Sequence, residues 1–264
     1  SPARYRSRCA AVETQQEHSV ADRNQAYQSN WNTFRRLSQT QDSAVLERRG
    51  FRRWLLLPYI AFVIPIEAPD VVTQLLAWQS ALQNLMAYEP QPAERLHITV
   101  HFVGLLRRNP FLFLPNMWSR ERLPVLAERA RAALAEMCQF DLKLGPLNAF
   151  PNVLFAEVQD EHECLRTLRA KIRRAMPLRA RPPLTWSYVP HVTLGLWGQQ
   201  PVRPIVAAMQ PYRHVPPVTL RVEKVKLTLY VRDVSPAEPD ILSSAREEIV
   251  TEIALPPRPA NAAC

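Results

Sequence analysis

From residue 51 onward the apolar positions of this chain follow two rhythms that take turns, one with the period of a strand and one with the period of a helix. Residues 54–66 are almost wholly apolar and interrupted by Pro58 and Pro65, which predicts a buried strand. Over 71–88, Leu75, Leu76, Leu82 and Leu85 recur at helical spacing, with Asp70 placed to act as the N-cap. Residues 96–106 alternate strictly and predict a strand, and the Phe- and Pro-rich stretch 107–124 reads as a surface loop. A second helix is expected over 125–138, with Leu126, Ala130, Ala133, Leu134 and Met137 on one side. The segments 140–147 and 153–158 read as a hairpin turning at 149–152, followed by a helix over 161–176 and a Pro- and Arg-rich loop. An alternating strand over 188–197, a short helix over 204–209, one long strand over 218–231 and a last strand over 249–255 complete the pattern.

The same succession of strands and helices surrounds position 97 and position 191. The expected architecture is therefore α+β, with two pseudo-symmetric lobes of mostly antiparallel sheet, outer helices and a cleft between the lobes. Residues 51–257 would form this body and 258–264 a tail. Residues 1–50 are polar, with a weakly helical stretch over 20–37 whose apolar residues look too few for a core stripe, so they read as a flexible or loosely docked extension.

At 264 residues and 47% hydrophobic content, the chain can bury a substantial core. Its formal charge of +9 favours polyanionic partners, because a positive field raises the local concentration of phosphates. The longest apolar run falls short of the roughly 20 residues a bilayer crossing needs, so no membrane association is expected. With no apolar leader visible, a cytoplasmic monomer is the default expectation. Cys9, Cys138, Cys164 and Cys264 are scattered without a C-x-x-C pair and read as reduced.

Chemistry concentrates in two strings, Leu96-His97-Ile98-Thr99-Val100-His101 and Pro190-His191-Val192-Thr193-Leu194-Gly195. On a strand, alternate side chains share a face, so His97 stands beside Thr99 and His191 beside Thr193, each pair about 6–7 Å apart. Two imidazoles with two hydroxyl donors suit proton transfer at a phosphate, one imidazole as acid and the other as base. Chance would give about 0.5 His-x-[Ser/Thr] matches in such a composition, and both matches here sit in clean alternating strands. His97 and His101 would be about 13 Å apart, too far to share one ion, and His101 reads as a rim residue. No metal site is expected, and with only five glycines the chain has no phosphate-cradling loop, so no cofactor is expected either. Phe62, Tyr188 and Trp197 are candidates for stacking a base, with core packing as the competing reading. Gly195 either admits a ligand close to the backbone or marks a bulge.

The two strings, together with residues 61–66 and Pro69, resemble the signature of the 2H phosphoesterase superfamily, in particular its 2′-5′ RNA ligase-like, or RNA 2′,3′-cyclic phosphodiesterase, branch. The resemblance implies a two-lobed fold and metal-independent chemistry on 2′,3′-cyclic phosphates or 2′-5′ linkages. It also implies His97 and His191 as the catalytic pair, Thr99 and Thr193 as donors to the phosphoryl oxygens, and His97 as the acid. One departure stands out. The family commonly carries Arg five residues after the second motif His, where this chain has Leu196, so charge neutralisation must come from elsewhere. Hydrolysis of 2′,3′-cyclic phosphate on RNA ends or phosphorylated nucleotides, with reverse 2′-5′ ligation as a corollary, is the leading expectation. Cleavage of 2′-5′ oligoadenylates or cyclic oligonucleotides, and a non-catalytic basic RNA-binding module, are the alternatives.

Overall fold

The computed structural model describes residues 20–40, 58–107, 117–150, 153–176, 188–197, 202–232 and 245–258. Its strands are β1 (Tyr59–Pro65), β2 (Glu89–Pro90), β3 (His97–Leu106), β4 (Met117–Trp118), β5 (Phe140–Phe150), β6 (Val153–Gln159), β7 (His191–Leu196), β8 (Val218–Val222), β9 (Lys224–Arg232) and β10 (Ala245–Ala254). The helices are α1 (Val20–Thr40), α2 (Pro69–Gln83), α3 (Leu123–Leu134), α4 (Cys164–Ala175) and α5 (Val202–Met209). The fold is α+β, as the alternation of the two rhythms requires.

The strands join in the order β10-β9-β1-β3-β7-β6-β5-β8, with β2 added to β7 and β4 to β3. Every pairing along that path is antiparallel. The path divides into two four-stranded halves, each with a His-x-Thr strand at the inner edge, and the halves meet where Ile98 of β3 pairs with Val192 of β7. Helices α3 and α4 pack on the first half, against β10 and β3, while α2 lies against β7 and β8 of the second. One core runs beneath both halves, from Ile60, Phe62 and Ile64 through Ile98 and Val192 to Leu154 and Leu220.

Several elements depart from the expectation. Helix α2 starts on Pro69, its N-cap is Ala68, and Asp70 sits inside the first turn, because proline takes the first helical position without loss of a needed N–H. Leu85 lies beyond that helix and is exposed. The run 218–231 is two strands, separated at Glu223 and placed in different halves: β8 on β5, and β9 between β1 and β10. Alternation continues across such a break, so periodicity alone reads it as one strand. Cys164, at the start of α4, is disulfide-bonded, whereas Cys138 is free. The expectation of reduced cysteines rests on spacing rules, which detect C-x-x-C pairs, and the sequence has none. Residues 54–57, the 177–183 loop and most of the 258–264 tail lie outside the described residues.

The largest difference is α1. Tyr27, Trp31 and Phe34 recur at helical spacing and are all buried, Trp31 and Phe34 within the main core and Phe34 against Trp197 at 5.5 Å between ring centroids. Three large aromatics make a sufficient stripe where a count of aliphatics does not, since each ring buries as much area as two smaller side chains. No described helix is long and apolar enough to cross a membrane. Phe34→Ala should therefore lower the unfolding free energy by about 3–5 kcal/mol, as for a core aromatic, which denaturant unfolding of the full chain would measure.

Candidate active site

The site follows from one register. Directly paired residues on neighbouring strands point to the same face, and Ile98 and Val192 are both fully buried in the core. Their neighbours along each strand, His97 and Thr99 on β3 and His191 and Thr193 on β7, therefore emerge together on the opposite face, and all four are partly exposed. The strands run antiparallel, so each histidine stands across from the other motif's threonine.

Each imidazole is held the same way. His97 Nδ1 lies 2.8 Å from the Arg95 carbonyl and His191 Nδ1 lies 2.8 Å from the Val189 carbonyl, in both cases two residues upstream. A carbonyl only accepts, so Nδ1 carries the proton and donates, and Nε2 of each ring is left as the unprotonated nitrogen of the neutral ring. Burial pushes the His97 pKa down to about 4, with its carbonyl hydrogen bond opposing and the nearby His191 charge adding to the fall. Burial also lowers His191, against its bond to Val189. Both rings are neutral near pH 7 in the free protein, and each is close enough for its charge to matter to the other.

Aromatic rings flank the pair symmetrically. Beside His97, Tyr230 lies at 5.6 Å and stacks on Tyr59 at 4.7 Å. Beside His191, Phe150 and Phe155 stack at 4.2 Å and present edges to the imidazole at 5.1 and 5.4 Å. Among the described residues, the buried hydroxyls of Thr228 and Tyr230 have no hydrogen-bond partner. On the first half, burial pushes the Glu247 carboxyl up while the Arg95 and Lys226 charges act against it, and the Arg95 guanidinium also acts on Tyr230.

The other candidates fare differently. Phe62 and Trp197 are fully buried core residues, not stacking surfaces, since Phe62 is on the helix side of β1 and Trp197 packs on Phe34. Tyr188 donates to the Thr99 carbonyl at 2.9 Å, and the Arg169 guanidinium covers its ring at 3.9 Å. Arg169 Nε donates to the next carbonyl, Val100, at 3.1 Å. These side chains cap β3 where its pairing with β7 ends, so Tyr188 holds the motif strand and its ring is not an open platform. At Gly195 the bulge reading holds: Gly195 and Thr193 oppose the consecutive residues Leu154 and Phe155. A Cβ there would meet the Tyr88 ring at 2.4 Å, so the close approach belongs to Tyr88 and not to a ligand. His101 is buried, and Nε2 donates to the Met176 carbonyl at 3.3 Å. A bulge explains this: Val63 and Phe62 pair with Thr99 and His101, so one extra residue turns His101 towards α4. Leu196 is buried with Tyr27, Val153 and Phe155.

Sequence reading missed Tyr230, Phe150 and Phe155. Tyr230 belongs to the phase of β9 opposite to Val225, Leu227 and Leu229, which line the core, and that second phase was the available signal. Phe150 and Phe155 lie on either side of the β5–β6 turn, in runs apolar on both faces, where alternation says nothing.

The family model for the 2′-5′ RNA ligase superfamily matches residues 69–234, well over half of the chain. The chain belongs to the 2′-5′ RNA ligase superfamily, the 2H phosphoesterases. Among solved structures, Escherichia coli LigT in its apo form is similar at 18% identity and a TM-score of 0.52, covering 75% of this chain and 98% of LigT. LigT complexed with 3′-AMP gives 19% identity and a TM-score of 0.51, with the same coverage. No curated protein matches the chain by sequence. At such identities the structural likeness establishes the fold, and the family match supports a phosphodiesterase or ligase-like activity.

Two outcomes follow from the site's packing. Burial depresses both His97 and His101 from 6.5 to about 4, so in that window the unfolded chain binds protons that the folded chain refuses. Stability should be complete above pH 6.5 and fall as the pH drops towards 4, with a shallower fall in His101→Gln, as read by denaturant unfolding at stepped pH. Gly195→Ala should cost about 1–3 kcal/mol through the clash with Tyr88, measured in the same way.

Proposed function

We propose that the protein is a metal-independent phosphodiesterase that opens 2′,3′-cyclic phosphates on RNA ends or nucleotides. The observation that carries this reading is the Ile98–Val192 register, which sets His97, Thr99, His191 and Thr193 on one face, with each Nδ1 turned to a backbone carbonyl and neither Nε2 bonded among the described residues. A cyclic phosphate lies between the two imidazoles. The Thr99 and Thr193 hydroxyls donate to its non-bridging oxygens, where negative charge grows as phosphorus becomes five-coordinate.

Hydrolysis needs one neutral and one protonated imidazole. The neutral Nε2 takes a proton from the attacking water as its oxygen bonds to phosphorus. The protonated Nε2 gives its proton to the ribose oxygen as the P–O bond to it breaks, leaving a phosphomonoester and a hydroxyl. In the free protein burial keeps both rings neutral, and an anionic phosphate between them restores a proton to one, so substrate completes the acid–base pair. His97 takes the acid's part. Arg95 supplies the neutralising charge that Leu196 cannot, and the unpaired Tyr230 hydroxyl offers a bond to the ribose or base. E. coli LigT has been solved with phosphate and with 3′-AMP, ligands of that protein that suit such a seat.

The test is an EDTA-treated assay on an oligoribonucleotide ending in 2′,3′-cyclic phosphate, with the product isomer resolved by phosphorus NMR. His97→Ala and His191→Ala should each lose roughly 10²–10⁴-fold in kcat. Thr99→Val and Thr193→Val should each lose roughly 10²–10³-fold. The profile of kcat/KM against pH should be bell-shaped with its maximum below pH 6.5, because burial lowers both histidines from that value. Turnover of 2′-5′ oligoadenylates or cyclic oligonucleotides alone would move the substrate class. Salt-sensitive RNA binding without any turnover would leave the non-catalytic module.

A further inference from the structure

Helix α1 lies outside the stretch matched by the family model, yet the Tyr27 hydroxyl of that helix bonds directly to the backbone of the second motif. Pro190 has no N–H, so the ladder between β6 and β7 cannot continue past Glu157 and His191, its last pair at that end. The Tyr27 hydroxyl stands in the gap. It accepts from the Val158 N–H at 3.0 Å and donates to the Pro190 carbonyl at 2.5 Å, with the Val158 carbonyl also near at 3.1 Å. That carbonyl belongs to the peptide bond joining Pro190 to His191, and the carbonyl before it, Val189, is the one that receives His191 Nδ1.

The clamp is itself held rigid. Asn148 Nδ2 donates to the Tyr27 carbonyl at 3.0 Å and to Glu157 Oε1 at 2.7 Å. Glu157, opposite His191 in the ladder, is paired with Arg213 at 2.5 Å, and both side chains are buried. The Arg213 guanidinium in turn sits 5.2 Å from the Trp31 ring of α1. Phe155 touches Tyr27 at 6.4 Å and His191 at 5.4 Å, and Leu196 is packed in the same cluster. The helix, the network and the histidine form one connected unit.

We infer that Tyr27 is a positioning residue for His191: the N-terminal helix fixes, through the Pro190 carbonyl, where the second imidazole stands and which nitrogen it presents. The assignment rests on His191 being one of the two reacting groups. Its consequence for the ring is nonetheless readable without turnover. With the clamp lost, the 189–191 backbone relaxes, the Val189 carbonyl no longer dictates the tautomer, and water reaches a ring that burial now keeps neutral.

Tyr27→Phe in the full chain removes only the hydroxyl and leaves the ring on Phe155. The first readout is NMR titration of ¹⁵N-histidine-labelled protein. The His191 midpoint should move up towards 6.5 and its Nδ1 and Nε2 shifts should converge towards a tautomer mixture, while the His97 midpoint, lowered by the His191 charge, does not move up with it. The second readout is kinetic: kcat should fall roughly 10–100-fold with KM changed less than about twofold, since substrate still binds but one group is misplaced. Identical His191 shifts and midpoint in the variant would overturn the inference, as would equal displacement of both histidines. If the parent turns over no phosphodiester, the proposed activity fails while the NMR outcome still decides the role of Tyr27. Should Tyr27→Phe prove unstable, Asn148→Ala, which frees the Tyr27 carbonyl, should shift His191 in the same direction to a smaller extent.

Discussion

The pairing of Ile98 with Val192 is the constraint on which the layout of the candidate site depends. Each half of the sheet carries one His-x-Thr pair at its inner edge. Joining the halves at that register sends two apolar side chains into a shared core and, by strand geometry, sends both His-x-Thr pairs out together. A slip of one residue on either strand would bury a histidine and expose its neighbour. The register is protected by the core itself, because Ile98 and Val192 are fully buried in it and a slip would expose them.

What surrounds the pair explains why the site sits ready but uncharged. Aromatic rings flank both partly exposed imidazoles, and among the described residues the hydrogen bond that holds each ring is to a backbone carbonyl at Nδ1. Desolvation and the His191 charge act in the same direction on His97, both opposing its protonation. The buried Glu157–Arg213 pair, by contrast, is satisfied within the protein and serves as scaffolding.

The motifs, the sheet type and the order of most elements were legible because they rest on period and local chemistry. What the alternation could not show was where it is broken. His101 and Gly195 sit at bulges, each created by a single extra residue and visible only against the partner strand. Tyr188, Phe62 and Trp197 were reasonable aromatic candidates by position, but which face an aromatic occupies depends on partners far along the chain. The docking of α1 was hidden for a related reason: three rings among polar residues look sparse until the Trp197 and Phe155 surfaces that receive them exist.

The break at Glu223 has a further consequence for how the chain is made. Strands β5 to β8 of the second half lie in one stretch of sequence, whereas the first half is assembled from β1 and β3 before that stretch and β9 and β10 after it. During synthesis the second half can therefore close on itself first, largely through neighbouring strands. Strand β1 can pair with β3 early, but its other edge stays open until β9 has been made, and long-range pairing of this kind is slow. Strands β9 and β10 thus complete the half that β1 and β3 begin and cover its open edge.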